Sequence, residues 1–178
     1  CDRTMTTTAC HGSGAPVEPT PGLVRIALVG SPNAGKTSVF NHLTGMRART
    51  GNYPGVTVTR SIGTGKHICP HCGTVKFTIE DLPGAYSLHP ASPDEQVVYD
   101  LLHGELAGTT APDALAVVVD VTVLERSLSL VAQVLALGRP TMIILTMTDE
   151  LANRGGHVDV DNLSTALGIP VVGVVGSR

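Results

Sequence analysis

The sequence predicts an α/β fold with a doubly wound, mostly parallel six-stranded sheet and one antiparallel edge strand. Three observations predict it. Strand-length apolar runs alternate with segments of helical period along the chain. The runs at 23–29, 114–120 and 141–146 are nearly continuous in Val, Ile, Leu and Ala, as in strands covered on both faces. The first run leads directly into Gly30-Ser31-Pro32-Asn33-Ala34-Gly35-Lys36-Thr37, which fits the phosphate-loop pattern G-x-x-x-x-G-K-[ST] and opens a helix.

In chain order, strands are expected at 23–29, 55–62, 75–80, 114–120, 141–146 and 170–175, and helices at 36–44, 93–103, 124–137 and 159–167. The first strand is interrupted only by Arg25. The second helix has a clear start: Ser92 as N-cap, Pro93 at the first position, acids in the first turn and Glu95 completing a capping box. Gly138, followed by Pro140, ends the third. Leu124, Leu128, Val131 and Leu135 recur at helical spacing and are expected in the core. In such a sheet ligands sit beyond the carboxyl ends of the strands, and every motif below falls there.

The 178 residues suffice for one domain with a sizeable core. The net charge of −3 and the absence of Trp argue against a general nucleic-acid surface or a base-stacking platform, so no nucleic-acid partner is expected. No apolar run approaches the length needed to span a bilayer. Residues 1–22 are polar and rich in Pro, Gly and Thr, and are expected to form a disordered tail ahead of a domain at 23–178.

The phosphate loop dictates a division of labour. Residues 30–38 (Gly30 to Ser38) surround a polyphosphate at a helix N-terminus with their backbone N–H groups, Pro32 having none; Lys36 neutralises the outer phosphates, and Thr37 ligates Mg²⁺. Asp81-Leu82-Pro83-Gly84 fits D-x-x-G at a strand end. Asp81 supports Mg²⁺ through water, and the Gly84 N–H senses the γ-phosphate. Thr57, in Gly55-Val56-Thr57-Val58, occupies the place of the switch I threonine that closes on Mg²⁺ only with a triphosphate. Thr146-Met147-Thr148-Asp149 takes the place of the guanine-reading N-K-x-D, with Asp149 accepting from the guanine edge. Together these predict a P-loop NTPase of the Ras-like G-domain type that binds GTP and GDP. Lys36, Thr57, Asn33 and Gly84 are its candidate catalytic residues.

The stretches Gly51-Asn52-Tyr53-Pro54-Gly55-Val56-Thr57-Val58, Asp81 to Leu88, Asp94-Glu95-Gln96-Val97 and Val118 to Leu128 resemble the cytoplasmic G domain of the bacterial ferrous iron transporter B (FeoB) family. The similarity runs from about residue 23 to 178. It implies a GTPase domain that gates or regulates Fe²⁺ uptake. In the family this domain is joined to a helical domain and a membrane permease of the same polypeptide, at the cytoplasmic face of the inner membrane; those parts and the domain's final helix are not expected in this stretch. Ala85 follows D-x-x-G where many GTPases place a water-orienting Gln. The resemblance implies a substitute: K⁺ held by Asn33 and by backbone near Gly51 and Asn52, with slow, K⁺-stimulated hydrolysis. The chain departs from the family at Thr146, usually Asn, and in the last base-contacting loop, Gly176-Ser177-Arg178. Both bear on nucleotide affinity, and Thr146 predicts weaker binding.

Two other readings are open from sequence. An assembly GTPase of the Era/Der type shares N-x-G-K-[ST] and a P-G-V-T switch, but carries RNA-binding appendages. A slow nucleotide switch would bias a partner and use hydrolysis only to reset. Separately, Cys69-Pro70-His71-Cys72-Gly73 resembles half of a zinc knuckle, with Cys69 and Cys72 as candidate Zn²⁺ ligands. Completing it needs nearby His, the tail, or a second molecule in a homo-oligomer.

Overall fold

A computed structural model of the chain describes residues 23–69 and 73–175, with Cys69 described in its backbone alone. The expected tail at 1–22 and the candidate residues Cys72, Gly176 and Ser177 lie outside the described residues.

The elements follow the alternation read from sequence. They are β1 (Val24–Val29), α1 (Lys36–Thr44), β2 (Ala48–Asn52), β3 (Thr59–Cys69), β4 (Gly73–Asp81), α2 (Pro93–His103), β5 (Ala114–Asp120), α3 (Leu124–Leu135), β6 (Thr141–Thr146), α4 (Thr148–Asn153), α5 (Val160–Leu167) and β7 (Val171–Gly173). A short 3-10 turn, Val121–Val123, leads into α3.

They form one mixed sheet in the order β2-β3-β4-β1-β5-β6-β7. β1, β4, β5, β6 and β7 are parallel, and β3 runs antiparallel to both β2 and β4. The doubly wound α/β class is as expected. The described strands number seven rather than six, and the antiparallel strand is second from the edge. The additional strand, β2, reads Ala-Arg-Thr-Gly-Asn and is largely exposed, so it has no apolar alternation to announce it. Its partner β3 provides the hydrogen bonds that make it a strand. β3 itself starts at Thr59 rather than 55, because Pro54 and Gly55 (φ 77°) turn the chain through a loop first.

The core has two layers. On one face α2 and α3 bury Val97, Val98, Leu101, Leu102, Leu130, Val131 and Val134 against Ala27, Val29, Val117, Val119 and Leu145. On the other, Phe40 of α1 packs on Leu28, Ile79, Ala116 and Val118. Each such side chain contributes about 1.5–3 kcal/mol on burial. Leu128, expected in this core, is instead exposed: α3 turns Ser127, Leu130, Val131 and Val134 inward, so Leu128 falls on the solvent side. The α2 cap forms as read, with the Ser92 hydroxyl accepting from Glu95 N at 3.3 Å; the Glu95 carboxylate accepts from Ala91 N at 2.9 Å rather than from Ser92 N.

The parallel register sets the site. Leu28 lies opposite Asp81, Val29 opposite Val117, and Asp120 opposite Thr146. The carboxyl ends of β1, β4, β5 and β6 therefore meet at one edge. β1 is the switch point, with β4 on one side and β5 on the other.

Candidate functional site

The loop after β1 makes a tight turn into α1. Asn33 (φ 64°) and Gly35 (φ 83°) both adopt the left-handed conformation, and Gly35 is the N-cap residue of α1. Ala34 N donates to Ser31 O at 3.2 Å, closing the turn. The first-turn amides of α1 thus emerge into a concave loop, the arrangement that accepts anions. Lys36 is buried, and its Nζ reaches back to donate to Ser31 O at 3.2 Å. Burial pushes its ammonium below the usual lysine range, and the Asp81 charge partly opposes this.

Asp81, at the end of β4, accepts from Thr37 Oγ1 through Oδ2 at 2.9 Å. Its other oxygen, Oδ1, is buried with no hydrogen-bond partner among the described residues. Burial holds this carboxyl above its ordinary value, against the opposing Thr37 hydrogen bond and Lys36 charge. An orphaned, buried carboxylate oxygen beside a threonine hydroxyl is the hard-oxygen donor set Mg²⁺ takes.

Beyond Asp81 the chain is zipped onto β1 and the phosphate loop. Leu82 N donates to Leu28 O at 3.2 Å, and Ala85 N donates to Gly30 O at 3.1 Å. Gly84 lies flat on Pro32. A Cβ there would stand 2.9 Å from Pro32 N and 3.0 Å from Pro32 Cα, so no side chain fits. Ala85 is fully buried and carries no group that positions water.

On the opposite side, Thr146 ends β6 against the loop. Its hydroxyl is buried and donates to Ala34 O at 2.8 Å, with Val119 O at 3.2 Å as the alternative acceptor. The loop carbonyl is thus the acceptor, and the single hydroxyl proton of Thr146 is committed to the loop. Met147 follows in the left-handed conformation (φ 58°) and caps the unexpected short helix α4. Asp149 stands exposed in that helix's first turn.

The structure therefore gathers residues 30–38, Asp81, Gly84 and Thr146 at one edge. It does not bring in Thr57, which is exposed on the loop after β2; no hydrogen bond among the described residues joins it to Thr37 or Asp81. Gly51 and Asn52 end β2, where they pair with Arg60 and Thr59. Asn33 is exposed on the phosphate loop. A cavity of about 150 Å³ flanks the loop's outer wall, between Ser31–Ala34, Tyr86 and the Asp120–Leu130 segment.

Sequence reasoning missed one group behind the site. Glu80 lies between two guanidiniums, Arg25 Nη2 at 3.0 Å and Arg60 Nε at 2.8 Å, with Arg60 fully buried. Tyr53 covers Arg60, its ring centroid 5.1 Å from the guanidinium carbon. Arg25 also donates to the Thr110 carbonyl and hydroxyl. The signal was present: Arg25 is the lone charge in an apolar run, and Glu80 ends an alternating one.

Comparison with known proteins agrees with this geometry. The family model described as ferrous iron transport protein B matches residues 24–178. A Porphyromonas gingivalis Fe(2+) transport protein A/Fe(2+) transporter FeoB fusion protein is 44% identical over 160 residues, covering 90% of this chain and 18% of its own length. The Salmonella typhimurium Fe(2+) transporter FeoB is also 44% identical, over 86% of this chain and 19% of its own. The chain thus spans about a fifth of the length of these curated relatives. Among solved structures, an S. thermophilus NFeoB variant bound to GDP superposes with a TM-score of 0.74 at 42% identity, covering 86% of this chain and 56% of that one. The G domain of the T. maritima FeoB iron transporter gives 0.73 at 36% identity, covering 85% and 87%. With its phosphate loop, its D-L-P-G strand end and its sheet order all in place, the chain belongs to the ferrous iron transport protein B family and carries that family's P-loop GTPase domain.

Proposed function

We propose that this domain binds guanine nucleotides and hydrolyses GTP to GDP and phosphate, slowly and with K⁺ as activator. The observation that supports the Mg²⁺-nucleotide site is the Thr37–Asp81 pair at 2.9 Å with the orphaned Asp81 Oδ1 beside it; the slow rate and K⁺ are proposed from the family resemblance and the absence of a water-orienting side chain at Ala85. Thr37 and Asp81 are the residues that would hold Mg²⁺, which when bound would supply charge neutralisation at the phosphates. Lys36 exchanges its contact with Ser31 O for the phosphate oxygens, where its charge lowers the cost of the developing negative charge. The Gly84 N–H, on backbone that rests against Pro32, would donate to the γ-phosphate. Thr57 joins this set when its loop closes.

Buried Ala85 leaves water orientation to other groups. Asn33, exposed on the phosphate loop, and the backbone near Gly51 and Asn52 are the groups that would hold K⁺, which would supply charge where a catalytic arginine acts in other GTPases. Asp149 reads the guanine edge, with Met147 packing on the base face and the loop at Gly176 and Ser177 closing behind it. The assembly-GTPase alternative loses its basis with the family match. The slow-switch alternative is a matter of rate, and measured turnover decides it.

For the whole protein we propose that this nucleotide cycle gates or regulates Fe²⁺ passage through a membrane permease of the same polypeptide, with the domain at the cytoplasmic face. Support comes from the relatives' names and from their length, about five times the stretch matched here. No helix among the described residues is long and apolar enough to cross a membrane. Cys69 and Cys72 remain candidate Zn²⁺ ligands on sequence grounds alone. Titration with fluorescent GDP and ADP analogues in Mg²⁺ tests the nucleotide assignment. Binding of GDP that excess ATP does not displace supports it; equal displacement by ATP contradicts it.

A further inference from the structure

The loop that carries Thr57 has one buried end and one exposed crest. Gly55, Val56 and Thr57 are exposed, whereas Tyr53 at the loop's root is 1% exposed. The root is pinched shut: Tyr53 N donates to Val58 O at 3.1 Å, and Val56 N donates to Tyr53 O at 3.3 Å. Pro54, next in line, fixes its own φ and stands over Gly108. Below the root, Tyr53 lies over the Arg60 guanidinium, and Arg60 is paired with Glu80 through Nε at 2.8 Å and Nη2 at 3.3 Å. Glu80 is 2% exposed and is itself clamped by Arg25. The residue after Glu80 is Asp81, which holds Thr37.

The Thr57 loop and the Asp81 strand end thus rest on the same buried ion pair. We infer that Tyr53, seated on the Arg60–Glu80 pair, is a positioning residue: a fixed post from which the 55–57 crest swings, so that Thr57 reaches Mg²⁺ without the loop's root moving. A post of this kind is built from groups that are costly to displace. Breaking one partner of a buried charge pair leaves the other uncompensated, and a cation over an aromatic face gains strength when desolvated. The crest has no such anchor, since Thr57 makes no hydrogen bond among the described residues. Tyr53 touches neither nucleotide nor metal in this scheme; it acts through Thr57. The inference rests on the GTPase reading above.

The test compares the parent with Tyr53→Leu, Tyr53→Phe, Thr57→Ala and the Tyr53→Leu/Thr57→Ala double variant. It measures affinity for a non-hydrolysable GTP analogue and for GDP, both with Mg²⁺. Tyr53→Leu removes the aromatic face from Arg60 and should weaken the GTP analogue about tenfold while GDP stays within about threefold. Tyr53→Phe keeps that face and should restore the parent's ratio. If Tyr53 acts through Thr57, the double variant loses no more than the larger single loss. Equal weakening of both nucleotides by Tyr53→Leu, or multiplied losses in the double variant, would overturn the proposal.

Hydrogen exchange on the unmodified domain gives an arm that needs no variant to fold. The Tyr53 amide should stay protected with and without nucleotide, while the amides of Gly55 and Thr57 gain protection only with the triphosphate analogue. A Tyr53 amide that exchanges as fast as those of Gly55 and Thr57 in the nucleotide-free domain overturns the post directly. If the parent binds no guanine nucleotide, the GTPase reading fails, and the exchange pattern of the free domain still decides for or against the post.

Discussion

Thr146 joins the base-side strand to the phosphate loop through a single proton. Its hydroxyl has two carbonyls in range, Ala34 O at 2.8 Å and Val119 O at 3.2 Å, and can serve only one at a time. Thr146 and Ala34 are both buried, so water does not replace a lost partner. Thr146→Val keeps the shape and removes the proton. The lost bond is worth about 1 kcal/mol, and the stranded Ala34 carbonyl raises the cost to about 1–3 kcal/mol. The loop it steadies presents the phosphate-binding amides, so GDP affinity should fall by roughly fivefold or more, since about 1.4 kcal/mol is tenfold. Thr146→Asn works in the other direction. An amide carries two donors and an acceptor, so one N–H can hold Ala34 O while another polar atom faces the base. GDP should then bind several-fold tighter and leave more slowly. Titration and stopped-flow release with a fluorescent GDP analogue measure both. A Val variant indistinguishable from the parent, or an Asn variant that binds no tighter, would refute the reasoning about this contact.

Three further outcomes follow from the same geometry. In Gly84→Ala the new Cβ meets the Pro32 backbone at 2.9–3.0 Å, so the switch lifts off the loop; single-turnover hydrolysis should drop more than about tenfold, a barrier increase of over ~1.4 kcal/mol, with GDP affinity nearly unchanged. Asp81 has its pKa raised by burial, so its ionised form costs stability at neutral pH, and that cost disappears as pH falls toward the ordinary aspartate value. Asp81→Asn should therefore leave the Mg²⁺-free, nucleotide-free domain as heat-stable as the parent at pH 7 or more so, the difference closing in acid, while Mg²⁺-dependent nucleotide binding weakens; a lower unfolding temperature at pH 7 would contradict this. Asp149→Asn should abolish the preference for guanine over adenine or admit xanthine nucleotides, measured by competition against labelled GDP.

What was legible in the sequence was legible because chemistry left little choice. A phosphate cradle needs small residues, a lysine and a hydroxyl at fixed spacing, so residues 30–37 could be read without a structure. Asp81 could be read because D-x-x-G, weak alone, follows an alternating strand at the right place after the phosphate loop, and the Ser92 cap because unpaired helix amides select for such residues. β2 was hidden because an edge strand of polar residues is specified by its neighbour, not by its own pattern. Leu128 was misplaced because α3 buries small Ser127 in its stead: spacing gives a face but not its centre. The Arg25–Glu80–Arg60 group was hidden because the three residues are distant in sequence and meet only through the β3-β4-β1 order. For Thr146 the residue type and its single proton were visible, but the carbonyl that takes the proton, Ala34 O, was not.

The measurement that bears most directly on the account is steady-state phosphate release from GTP with Mg²⁺, run in parallel in KCl and in NaCl, for the parent and for Asn33→Ala. The account predicts slow release that is faster in K⁺ than in Na⁺, and loss of that difference in Asn33→Ala with GDP binding retained. Equal rates in the two salts would remove the cation from the mechanism, and no phosphate release from GTP in either salt would contradict the assignment of this site as a GTPase.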